Sequence, residues 1–141
     1  MCKDYTRMAL PSKNYRELLG TAICVFNSNN AFIIETYLRV GTNADLDWYK
    51  LIDKTSGQML DSVKEIIKKA SGEKIVDLFD LLCKKRNRIS HGFQITDTDG
   101  EQRLATKDKE NRQFVITENF LIDFIQENQK LSDLLYELRG Y

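Results

Sequence analysis

One stretch of the 141-residue chain gathers the side chains best suited to chemistry on an anion: Cys83-Lys84-Lys85-Arg86-Asn87-Arg88-Ile89-Ser90-His91-Gly92. It holds the only histidine in the sequence. An imidazole exchanges a proton near neutral pH, so His91 is a natural general acid or base. Arg86 stands four residues after Leu82 and three before Ile89, on the line of an apolar helix face. Asn87 stands four before His91, along the neighbouring edge. Polar groups where a helix meets its neighbours are costly unless partnered, which singles out both residues. His91 falls in the last turn of the same helix, where the dipole favours a cation. Lys84, Lys85 and Arg88 flank the three. They read either as a local attractor for phosphate or as solvated residues complementing a helix C-terminus.

Arg86, Asn87 and His91 form an Arg-Asn-x3-His motif, which resembles the active-site signature of the HEPN domain superfamily in its metal-independent ribonuclease branch. The resemblance implies a definite chemistry. RNA carries a 2′-hydroxyl that attacks its own adjacent phosphate. His91 would move a proton to or from the reacting oxygens. Arg86 would hold the non-bridging oxygens and stabilise negative charge, as a guanidinium fork does well. Asn87 would orient His91 or the phosphate, and Lys84, Lys85 and Arg88 would contact RNA. One end of the cut would carry a 2′,3′-cyclic phosphate. A single imidazole does not serve both sides of a phosphate at once, and the family pairs two protomers around one cleft, so a homodimer is implied. The implied setting is a toxin–antitoxin or antiphage system, with a cognate antitoxin protein as a further partner. The alternative is a catalytically inactive HEPN module that binds a partner protein or a nucleotide, since fold does not imply function.

Helices must position these residues. Pro11-Ser12 offers a start with Ser12 as N-cap, after a leader over 1–11. Leu19, Ala22, Ile23, Phe26, Ile33, Ile34 and Tyr37 then recur at helical spacing up to Val40. Asn27-Ser28-Asn29-Asn30 is a weak spot where a kink or break is expected, and Asn30 falls on the apolar stripe, which predicts a buried polar contact there. Further helices are predicted over about 45–53, 58–70, 73–91 and 117–139, the last capped by Thr117. Phe93, Ile95 and Thr96 look extended, Asp99-Gly100 marks a turn, and Phe114-Val115-Ile116 looks like a second short strand. The charged run Lys107-Asp108-Lys109-Glu110 between them reads as a solvated loop. The fold class expected is all-α: a HEPN-like bundle of four to five helices with a small β-hairpin inserted near 93–116, forming one domain over 1–141.

Composition narrows the function. Lys plus Arg and Asp plus Glu both number 21, so the net charge is zero. That opposes non-specific coating of nucleic acid and leaves a local basic site open. Cys2, Cys24 and Cys83 lack CxxC spacing. With no signal-like apolar segment near the start, they suggest a reducing, cytoplasmic setting. Cys24 and Cys83 sit among apolar neighbours and read as core fillers. One histidine and no paired cysteines argue against zinc. No glycine-rich phosphate loop is present. No cofactor is expected, and no run approaches the roughly 20 apolar residues that span a bilayer. Trp48, Tyr49, Tyr136 and Tyr141 read as packing residues before they read as base-stacking ones. Glu35 and Asn30 are placed to face Arg86 across the bundle and orient it, although a solvated helix face explains Glu35 as well.

Overall fold

A computed structural model of the chain describes residues 5–40, 68 and 73–140. The predicted helix over about 45–53, with Trp48 and Tyr49, and all of that over 58–70 except residue 68 lie outside the described residues, as do Cys2 and Tyr141. Helix α1 spans Lys13–Val40. Ser12 starts it as expected: its Oγ accepts from the Tyr15 N–H at 3.1 Å and its carbonyl from Arg16 at 3.0 Å. The helix runs through Asn27-Ser28-Asn29-Asn30 without the predicted break. Helix α2 spans Glu73–Ser90, with an acidic residue in its first turn and Arg88 in its last, both matched to the dipole. Helix α3 spans Glu118–Arg139. Thr117 caps it through a bond from the Phe120 N–H at 3.1 Å, and Gly140, at φ 80°, closes the other end in the left-handed conformation.

Between α2 and α3 lie three strands: β1 (Phe93–Thr96), β2 (Gln102–Lys107) and β3 (Gln113–Ile116). They form an antiparallel sheet in the order β1-β2-β3, with Phe93 opposite Ala105 and Leu104 opposite Ile116. This overturns the all-α expectation. The chain is a mixed fold in which three helices, among the described residues, pack with a three-stranded sheet, and not a bundle of four to five helices carrying a hairpin. The error lies in the central strand. Gln102-Arg103-Leu104-Ala105-Thr106-Lys107 reads as polar and charged, yet its backbone is paired on both sides, and only Ala105 and Thr106 are fully buried. Backbone pairing held it, not an apolar pattern. Arg103 clasps the β1–β2 turn by reaching Asp97 at 2.9 Å and Asp99 at 2.8 Å.

The core centres on one aromatic ring from each helix. Phe26 of α1 stacks between Phe79 of α2, at 6.3 Å, and Phe124 of α3, at 6.1 Å. Among the described residues, the most extensive packing is α1 against α3, and a buried polar clamp fixes its register. Asn29 Nδ2 donates to the Asn128 carbonyl at 2.8 Å and to Asn128 Oδ1 at 3.0 Å, while Asn128 Nδ2 donates to the Phe124 carbonyl at 2.9 Å. The buried hydrogen-bonded contact expected at Asn30 is made by Asn29; Asn30 is half-buried, and its Oδ1 is buried without a hydrogen-bond partner among the described residues.

Two residues join the sheet to the helices. The buried Tyr15 hydroxyl donates to the Ile116 carbonyl at 2.6 Å and accepts from the Leu104 N–H at 3.1 Å, standing between β2 and β3 where those residues face each other. Gly92 links α2 to β1 with no room to spare. A Cβ there would sit 3.1 Å from the Ile89 carbonyl oxygen and 3.3 Å from Ile116 Cδ1. Among the described residues, no helix is long and apolar enough to cross a membrane.

Candidate active site

Helix α2 and the turn after it place the motif residues on two different sides. His91 follows the last helical residue but continues the helical hydrogen bonding, its N–H donating to the Asn87 carbonyl at 3.0 Å. Gly92 then tightens the turn with a bond to Ile89 at 3.1 Å. Lys84, Asn87, Arg88 and His91 recur at three- and four-residue intervals and therefore share one stripe. Lys84, Asn87 and His91 are exposed and Arg88 is half-buried. A proton-exchanging ring, an amide and two cations thus line up along the solvent side of α2.

Arg86 points elsewhere. It lies about 140° around the helix from His91 at 3.6 residues per turn, on the face that also carries Phe79, Leu82 and Ile89. Its guanidinium rests over the Phe26 ring, 5.2 Å from the centroid. The side chain is half-buried. Glu35, one candidate to orient it, instead reaches Arg139 at 3.3 Å from an exposed position. Within one chain, then, Asn87 and His91 share one stripe of α2, and Arg86 lies on another face of it.

The flanking cations gather. Lys84, Lys85 and Arg88 line one side of an open groove of about 290 Å³, and Lys109, Asp108, Phe114 and Phe120 supply the rest. Arg88 Nη1 donates to the Lys107 carbonyl at 2.6 Å, tying α2 to the end of β2. Lys84 pairs with Asp80 at 3.2 Å. Lys85 pairs with Glu127 of α3, and its ammonium stands 5.7 Å from the centroid of Phe120. The two phenyl rings meet at 6.2 Å with a 48° tilt. The one carboxylate of the groove is already engaged within its loop. Asp108 accepts from the Arg112 backbone N–H at 2.9 Å and from Arg112 Nε at 2.9 Å. The backbone N–H of Arg112 is the main reason its pKa lies below the ordinary aspartate value.

No family model matches the chain, and no curated protein or solved structure matches it either. The chemistry of the site rests on its residues and their geometry.

Sequence reasoning missed Phe114, Phe120, Asp108 and Lys109. The charged run that reads as a solvated loop places two of its residues on the groove. A signal was present in β3, because Phe114 precedes the fully buried Ile116 by two residues and so shares its face of the strand. Tyr136 packs as expected, edge-on to Phe32 at 4.9 Å. Cys83 is buried as expected, but Cys24 is exposed and fills no core. Among the described residues, no group of three or more His, Cys, Asp or Glu is placed to hold a metal ion.

Proposed function

We propose that the chain is an endoribonuclease that needs no metal, works as a homodimer and acts in a reducing, cytoplasmic setting. The observation that carries this reading is the stripe along α2 in which exposed Lys84, Asn87 and His91 stand beside half-buried Arg88. In the proposed reaction His91 takes the proton of the RNA 2′-hydroxyl as O2′ bonds to phosphorus. The P–O5′ bond breaks, and the leaving O5′ accepts a proton from the opposite side. The products are a 2′,3′-cyclic phosphate and a 5′-hydroxyl. The sequence has one histidine, so a second copy supplies the second imidazole. Leu81 precedes the stripe and Phe93 follows it, each 43% exposed, and together they offer a second copy apolar surface to cover. On the Arg-Asn-x3-His resemblance, a cognate antitoxin protein is the proposed second partner, in a toxin–antitoxin or antiphage system.

A second reading has its own observation. The guanidinium of Arg86 lies against Phe26. Holding a phosphate takes an outward swing of that side chain, or a strand brought to the edge of the ring. A non-catalytic module that binds a partner protein or a nucleotide needs neither.

The test incubates the chain and His91→Ala with mixed RNA in excess EDTA. The expected result is fragments ending in a 2′,3′-cyclic phosphate from the wild type and none from the variant, with a dimer in gel filtration at micromolar concentration. Equal cleavage, or none, from both proteins rejects the nuclease in favour of the module.

A further inference from the structure

We infer that the groove formed by Lys84, Lys85, Arg88, Lys109, Phe114 and Phe120 is a stacking subsite for one base of a single-stranded nucleic acid, whose flanking phosphates lie on the cations. The inference rests on the ribonuclease reading for the reaction it would serve, and it names the substrate as unpaired strand.

Three observations converge. First, the groove combines two phenyl rings with four cations in a chain whose overall charge is zero. Rings that take a base face beside cations that track a backbone are the pattern of single-strand binding. A second depression of the same size, lined by Asp123, Gln126, Glu127 and Lys130, has two carboxylates and no ring. Second, the single carboxylate of the groove does not oppose a phosphate freely, because Asp108 is held by Arg112 and by its own loop backbone. Third, the groove leads to the proposed chemistry. Arg88 lines it, and His91 lies three residues further on the same stripe, about 4.5 Å along the helix axis at 1.5 Å per residue. A base stacked on Phe114 therefore leaves the strand directed along α2 past Asn87 to His91.

The rings lie between α2 and the β2–β3 loop, so a base paired in a duplex does not reach them, whereas an unstacked one does. At about 290 Å³, the groove sits at the small end of ligand sites. Arg88 stays beside it because its bond to the Lys107 carbonyl uses one donor of five.

The test measures binding apart from cleavage. Fluorescence anisotropy with a labelled 2′-O-methyl RNA, which lacks the attacking hydroxyl, reads the groove whether or not the protein cuts RNA. Phe114→Leu keeps an apolar side chain and removes the stacking face. Lys109→Glu changes only an exposed loop residue. Circular dichroism checks that both variants fold. Each is expected to weaken binding about tenfold, and Lys109→Glu to flatten the dependence on salt. A DNA strand of the same sequence shows whether the 2′ position contributes, and equal binding of the two strands supports a subsite reading base and phosphate alone. Binding unchanged in both variants overturns the inference. So does a polyglutamate peptide that binds as tightly and with the same dependence on Phe114. Loss of cleavage in His91→Ala with binding intact leaves the groove standing. Phe114-dependent binding by a chain that never cleaves RNA rejects the nuclease and keeps the subsite.

Discussion

The guanidinium of Arg86 lies 5.2 Å from the centre of the Phe26 ring, at the aromatic junction of the three helices, while His91 stands exposed one turn later. Two residues of one motif thus differ in what holds them. Arg86 is part of the packing and His91 is not. Replacing Arg86 with Ala is expected to cost about 1–2 kcal/mol of stability, from the lost ring contact and the lost packing of its stem. His91→Ala is expected to change stability by no more than about 0.5 kcal/mol. Urea denaturation of the two variants checks this, and equal midpoints for Arg86→Ala and the wild type would contradict it.

Tyr15→Phe removes one hydroxyl and with it two buried bonds, to the Ile116 carbonyl and from the Leu104 N–H. The expected loss is about 2 kcal/mol at neutral pH. Burial is the main cause that raises the Tyr15 pKa above the ordinary tyrosine value. A raised folded-state pKa means that the native state holds the proton more tightly than the unfolded chain does. The stability linked to Tyr15 is therefore complete below about pH 10 and declines as pH rises beyond it. Denaturation midpoints at pH 8 and pH 10.5 should converge between wild type and Tyr15→Phe, and a constant gap would refute the linkage.

Gly92→Ala places a methyl group 3.1 Å from the Ile89 carbonyl oxygen, a backbone atom without slack. The expected cost is about 1–3 kcal/mol. If the chain is the nuclease proposed above, RNA cleavage should also fall more than the fraction unfolded accounts for, because Gly92 follows His91 directly. Activity tracking the folded fraction alone would separate the two effects.

Asn29→Ala removes the amide that donates to the Asn128 carbonyl and side-chain oxygen in a buried interface. A loss of about 1–3 kcal/mol is expected. Asn27→Ala, on the exposed side of the same helix, should lie within about 0.5 kcal/mol of wild type. Thermal melts of the pair decide whether the clamp or the general polarity of this stretch matters.

The helix ends were legible because their signals are local. Ser12 and Thr117 use their own hydroxyls to cap the turns they start, and apolar residues at helical spacing mark the buried faces of α1, α2 and α3. The central strand was not legible, because β2 is held by partners distant in the sequence. Asn29, too, was mistaken for Asn30, since a one-residue error moves a side chain by about 100° on a helix and only the partner, Asn128, identifies which one is clamped. Three of the four basic residues of the groove, Lys84, Lys85 and Arg88, could be read from one segment. Their aromatic floor could not, because Phe114 and Phe120 reach Lys84 and Arg88 only after the sheet has folded back along α2.

Among the described residues, the principal packing partner of α1 is α3, which begins at Glu118. During synthesis, that packing forms only after residues 118–139 have emerged from the ribosome. Until then the nascent chain is a natural client for a chaperone.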